Sequence, residues 1–173
     1  MKKLLITLCL LANTGFALAE PVQPYEPPTE AKLEYNMGVD FYKVGQYDRA
    51  MASFRQAINI DPNYIDAYYN LGSILEYLHQ DEAALAVFKQ IIVRKPDDYE
   101  SVYKAAKLSK KLGQPDKAKT YLSLIPAEST AYNRAQALAS TLNTDMQTIK
   151  HEEVQKQQQD TSKIEETNGM YNN

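Results

Sequence analysis

Apolar positions along this chain follow three different rules. Leu4 to Ala12 is an apolar stretch of nine residues. From Ala31 to about Ile125, apolar and small residues recur every 34 positions. From Ala131 onward, Ala135, Leu138, Leu142, Met146 and Ile149 follow at steps of 4, 3, 4, 4 and 3, the spacing of one helix face.

Aligned at 34, Met37-Gly38 falls on Leu71-Gly72 and Ala105-Ala106, and Phe41 falls on Leu75. Gly45 falls on His79 and Gly113, and Ala50 on Ala84 and Ala118. Phe54 falls on Phe88 and Leu122, Ala57 on Ile91 and Ile125, and Pro62 on Pro96. Each unit reads as two helices. Small residues at Gly38, Gly72 and Ala106, and at Ala50, Ala84 and Ala118, let the pair approach closely. Phe54, Phe88 and Leu122 are expected to fill the space between adjacent units. Proline stops the second helix, because it lacks the amide hydrogen and clashes with the preceding turn. Asp61-Pro62-Asn63 and Lys95-Pro96-Asp97-Asp98 then supply turn and N-cap chemistry for the next helix. In the third unit the proline comes early, at Pro126, which predicts a second helix shorter by about a turn.

A period of this length marks a helical repeat stack. Residues 35–63, YNMGVDFYKVGQYDRAMASFRQAINIDPN, and 68–98, YYNLGSILEYLHQDEAALAVFKQIIVRKPDD, resemble the tetratricopeptide repeat family, and the resemblance runs from 31 to about 125. It implies an all-α fold, a right-handed α-solenoid of about three helix pairs with a concave ligand face. The usual tryptophan near the repeat start is replaced by Glu34, Tyr68 and Val102. The units are expected at 31–64, 65–98 and 99–128, with a capping helix at 129–150 that Ser129 or Thr130 can start.

The ends differ. Lys2 and Lys3, the apolar stretch and Ala17-Leu18-Ala19 read as a signal peptide over 1–19, cleaved before Glu20. Nine residues are too few to cross a bilayer, which needs about 20 as a helix. The alternative is a retained anchor helix. A lipid anchor is set aside because Leu8, not a small residue, precedes Cys9. The expected location is therefore the periplasm or the medium, with no stable membrane insertion after cleavage. Four prolines in 20–29 suggest an extended linker up to residue 30. His151 to Asn173 is polar and is expected to be disordered.

Composition then excludes function classes. Nineteen basic against 22 acidic residues argues against nucleic acid as a partner. Cleavage would remove Lys2, Lys3 and Cys9, the one cysteine, leaving a more acidic chain with no thiol. His79 sits in the glycine slot of a turn, and His151 in the polar tail. Asp97-Asp98 and Glu165-Glu166 are adjacent acidic pairs, one at a helix start and one in the tail. None of these has metal-ligand or catalytic spacing, so no cofactor, metal or enzyme activity is expected.

Binding is the function that the residues favour. In the family, ligands contact mainly positions 2, 5, 9, 12 and 13 of each first helix. Position 5 is Tyr35, Tyr69 and Tyr103, an unbroken file, with Tyr42 and Tyr77 at positions 12 and 13. Lys104, Lys107, Lys110 and Lys111 gather on the third unit, and Asp66 and Glu76 on the second. The groove implied by the resemblance is Tyr35, Val39, Tyr42, Tyr69, Asn70, Ser73, Tyr77, Tyr103, Lys104, Lys107 and Lys111. The carboxylate clamp of cytosolic chaperone adaptors does not fit. Its slots hold Tyr35, Val39, Asn70, Glu100 and Lys104, of which Asn70 alone matches and Lys104 in part. A protein or peptide partner is expected. The alternatives are a self-assembling structural protein of the envelope, pairing through its stack ends as a homo-oligomer, and an accessory subunit of an enzyme.

Overall fold

The computed structural model describes residues 24–170. The predicted signal peptide, its cleavage point and the first residues of the linker lie outside them. Among the described residues seven α-helices follow in order: α1 Thr29–Lys43, α2 Tyr47–Ile60, α3 Ile65–Tyr77, α4 Asp81–Arg94, α5 Tyr99–Lys111, α6 Pro115–Ser123 and α7 Tyr132–Met170. No strand occurs among the described residues. Each helix packs against the next, so the chain is an α-solenoid of three hairpins closed by α7. None of the described helices is long and apolar enough to cross a membrane.

The corners inside each hairpin are built alike. Gly45 and Gly113 sit at φ 74° and 68°, and His79 at φ 57°. At each corner two amides reach back to orphan carbonyls: Gly45 N to Tyr42 O and Gln46 N to Phe41 O, then His79 N to Glu76 O and Gln80 N to Leu75 O. This left-handed cap favours glycine, which has no Cβ to clash. A histidine there costs roughly 1–2 kcal/mol. Between hairpins, Asp61 Oδ1 accepts the Asn63 amide at 3.0 Å, and Asp98 Oδ1 accepts the Ser101 amide at 3.0 Å as the N-cap of α5. The expected turn and cap chemistry is in place.

Close approach within a hairpin depends on glycine. A β-carbon built on Gly38 would stand 2.7 Å from the buried Phe54 ring, and one on Gly72 would stand 3.1 Å from Phe88. Phe54 and Phe88, expected between units, thus press on the glycine of their own unit. Ala50, Ala84 and Ala118 are completely buried. One core runs through the first two units as far as Leu108. A second joins Val102, Ala106, Leu122 and Ile125 to Ala131, Ala135 and Leu142 of the closing segment. Ile92 and Tyr121 touch both.

Two ends depart from expectation. Helix α6 has nine residues against 14 in α2 and α4, so the shortening exceeds one turn. The larger correction concerns the tail. Helix α7 does not end near residue 150 but continues to Met170. The segment is rich in Gln, Glu and Lys, which are good helix formers, and meets no proline and no glycine before Gly169. Of the linker, residues 24–28 have no regular secondary structure, and the Tyr25 hydroxyl donates to Asp61 Oδ2.

Candidate functional site: the face of the first helices

Helices α1, α3 and α5 stand side by side and are joined by polar side chains. Asn70 Nδ2 donates to the Tyr35 hydroxyl at 3.0 Å, tying α3 to α1. Lys104 Nζ and Lys107 Nζ reach Glu76 at 2.7 and 2.9 Å, tying α5 to α3. Arg134 of α7 pairs with Glu100 of α5, with one bond at 3.1 Å. These two residues are 34 apart, so α7 occupies the place of a fourth first helix. Lys110 reaches the same helix through Asp145 at 3.0 Å and the Thr141 hydroxyl at 2.8 Å.

The tyrosine file is part of the packing. Tyr35 lies 5.6 Å from the Phe54 ring and 4.9 Å from Tyr64, and Tyr69 meets Phe88 edge-on at 5.8 Å. Tyr103 carries the Arg134 guanidinium 4.8 Å above its ring. All three keep part of their surface open. Burial pushes the Tyr69 hydroxyl up from its ordinary pKa, and the charges of Glu100, Asp98 and Glu76 push it further, so it stays a neutral donor. Val39 is half-buried against the first core.

Exposed rings are found one turn further along. Tyr42 stands 5.8 Å from Tyr47, and Tyr47 stands 5.1 Å from Tyr77, which is 63% exposed. A hydrogen bond between Tyr47 and Tyr77 raises the Tyr47 pKa. Tyr77 also borders an open pocket of about 740 Å³ between α3 and α5, lined by Ser73, Glu76, His79, Lys104, Lys107, Leu108, Lys110 and Lys111 as well. Of the predicted groove residues, this pocket gathers Ser73, Tyr77, Lys104, Lys107 and Lys111. Tyr35, Val39, Tyr69, Asn70 and Tyr103 lie elsewhere on the face, and Tyr42 lies outside the pocket, linked to Tyr77 by the Tyr47 ring.

The lysines are paired with acids rather than presented as a bare cationic surface. Glu76 accepts from two of them, and Lys111 pairs with Asp81 at 2.7 Å. Burial pushes the Glu76 carboxyl up, but the hydrogen bonds and charges of Lys104 and Lys107 outweigh it and hold the group below its usual range. Sequence reasoning missed His79 as a pocket residue, since its glycine slot suggested only a solvated turn. It also missed Arg134, although the 34-residue step from Glu100 marks it. Among the described residues, no group of three His, Cys, Asp or Glu is placed to hold a metal.

Comparison with known proteins agrees with this architecture. Residues 38–78 match a family model described as TPR repeat, and 78–142 match one described as tetratricopeptide repeat. Together they span most of the helical stack, and the chain belongs to the tetratricopeptide repeat family. No match was found among curated proteins. The type III secretion chaperone SycD of Yersinia enterocolitica, solved with a peptide of the translocator YopD, is 16% identical with a TM-score of 0.60, over 66% of this chain and 93% of that one. PcrH from Pseudomonas aeruginosa is 21% identical with a TM-score of 0.58, over 65% and 91%. A MamA RS-1 structure (the ArsTM double mutant) is 20% identical with a TM-score of 0.64, over 72% and 70%. These likenesses establish a shared fold.

Proposed function

We propose that this chain is an exported, non-catalytic adaptor of the cell envelope that holds an extended segment of a partner protein along its first-helix face. The observation that carries the reading is the continuity of that face. Half-open tyrosines of three units lead past the exposed Tyr42 and Tyr77 rings, with the half-buried Tyr47 between them, to an open pocket. Tyrosine offers a broad apolar face and a hydroxyl at little rotamer cost, which suits a peptide contact. SycD, which shares the fold, is seen with a peptide. The export part rests on Lys2-Lys3, the apolar stretch and Ala17-Leu18-Ala19.

The test is to recover partners that co-purify from envelope extract and titrate them against wild type and Tyr77→Ala. An exposed ring at the centre of such an interface should contribute at least ~2 kcal/mol of binding. If Tyr77→Ala and a Tyr42→Ala companion stay folded and bind as tightly as wild type, this face is not the site.

One observation favours a second reading, self-association through the open end of the stack. Leu33 and Met37 of α1 are exposed, whereas their repeat counterparts Ala67 and Leu71 are buried where α2 packs on α3. Sedimentation velocity over a range of concentrations decides it. A strictly monomeric chain would dismiss this alternative.

A further inference from the structure

We propose that the first residues of the chain after leader removal, Glu20 to Gln23, dock in a pocket at the loop edge of the stack, with the new amino group on Asp66. The inference rests on the export part of the reading above, and it gives cleavage a structural consequence.

This pocket is separate from the partner face. It holds about 500 Å³, bordered by the α2–α3 loop and by the junction of α4 with α5, and none of the predicted groove residues lines it. The linker itself contributes Tyr25 and Pro27 to its lining. Tyr25 bonds Asp61, and Lys32 Nζ holds Glu26 at 2.9 Å, so the linker is tied both to the α2–α3 loop and to α1. Arg94, Lys95 and Asp98 border the same pocket from the next junction along the stack. The linker therefore leads from α1 toward the second and third hairpins.

The length of chain ahead of this strap fits. Cleavage before Glu20 leaves four residues in front of Pro24. Fully extended they reach at most about 14 Å, enough to cross a cavity of this size. Proline at 21 and 24 fixes φ at two positions, which lowers the entropy lost when the segment is ordered. Val22 between them is the one apolar side chain available to cover Tyr64 and Ile65 in the pocket lining.

The charges fit as well. A chain that begins at Glu20 ends in a zwitterion, an α-amino group beside a carboxylate. The amino group ordinarily titrates at about pH 7.7–8.0 and is mostly protonated at neutral pH. Among the described residues, Asp66 accepts no hydrogen bond and pairs with no cation. The Tyr64 hydroxyl is pushed up from its ordinary pKa by burial first, then by Tyr35, Asp66 and Asp61, so negative potential gathers in this corner. Lys95 is half exposed and stands 4.0 Å from Asp98, beyond hydrogen-bond reach, which leaves its ammonium open to the Glu20 carboxylate. Arg94 is a fixed part of the wall. Its guanidinium donates to Pro62 O at 2.7 Å and lies 4.8 Å over the Tyr68 ring.

An α-amino group exists at Glu20 only once the leader is gone. The pocket thus makes the cleaved chain more stable than the same chain with residues in front of it.

The test compares three proteins: residues 20–173 with a native start, the same chain with Gly-Ser ahead of Glu20, and residues 24–173. Each is made as wild type and as Asp66→Asn, and thermal melting is followed. The chain from Glu20 should melt about 2–4 °C above the chain from Pro24, the shift that one modest contact makes at this size. Gly-Ser in front should remove most of that difference. Asp66→Asn should lower the Glu20 chain by more than it lowers the Pro24 chain, a coupling that a general effect on α3 cannot produce. Equal melting of the two native-start chains overturns the proposal, and so do additive effects. A difference that grows with protein concentration would assign the pocket to the end of a second copy and would also overturn it. Amide NMR locates the segment: removal of residues 20–23 should shift Asn63, Asp66 and Lys95, whereas shifts centred on Leu33 and Met37 would sink the idea. The two readings fail separately. Uncleaved protein in cells ends the export reading and leaves these melting curves unchanged, while additive effects end the docking and leave export standing.

Discussion

The ring of Phe54 lies against Gly38 so closely that a β-carbon there would stand 2.7 Å from Cε1 and 2.8 Å from Cδ1. Phe54 is 1% exposed and has nowhere to retreat. Gly38→Ala should therefore destabilise the protein by about 1–3 kcal/mol through overpacking, although alanine is the better helix former by about 1 kcal/mol. At Gly72 the corresponding contact is 3.1 Å, so Gly72→Ala should be the milder change. Denaturant midpoints of the two variants check the order. A Gly38→Ala protein as stable as wild type would mean that the hairpin is looser than it looks.

Glu76 gives a pH dependence whose sign can be worked out. Its folded-state pKa lies below the ordinary 4.5, since Lys104 and Lys107 outweigh the cost of burial. A depressed carboxylate stabilises the fold above its unfolded value, and that contribution is lost as pH falls through the folded one. Wild type should thus lose melting temperature below about pH 4.5. Glu76→Gln should start lower at neutral pH and show a flatter acid limb. Parallel acid limbs for the two proteins would show that the bridge between α3 and α5 does not contribute.

These two sites differ in how far the sequence announces them. Gly38, Gly72, Phe54 and Phe88 recur at one period, so their packing role is readable from a single chain. The Glu76 bridge is not, because it joins slot 12 of one unit to slots 6 and 9 of the next. Period alone does not reveal such a cross-slot contact, and lysines four or fewer apart look like a solvated face. His79 was visible as an oddity in a glycine slot, but its pocket exists only once α3 and α5 are set side by side. The length of α7 was hidden for a different reason. Its polar composition lacks a core-facing stripe beyond Ile149, yet the same residues have high intrinsic helix propensity.

Export is checked by mass. The basic start, the apolar stretch and Ala17-Leu18-Ala19 predict that protein recovered from fractionated cells begins at Glu20. A full-length product in the cytoplasm would end the envelope reading. A full-length product in the membrane fraction would point to a retained anchor.

Helix α7 should divide into a part that holds the stack and a part that does not. Up to Leu142 it buries Ala135 and Leu142 against the second core and bonds α5 through Arg134 and Lys110. Beyond residue 150, Glu152, Glu153, Val154, Gln155 and Lys156 are exposed. Removing residues 151–173 should accordingly leave the melting temperature within a degree or two, as expected of surface residues away from the core. Ending the chain at Ala127 instead would uncover Val102, Ala106, Leu122 and Ile125. Fully burying one such aliphatic side chain is worth about 1.5–3 kcal/mol, against a total stability of about 5–15 kcal/mol. The third hairpin should then unravel while the first two, with their own core, persist. Circular dichroism and limited proteolysis of the two truncations decide the point. A large loss of stability on removing 151–173 would show that the far end of α7 packs on something that the stack needs.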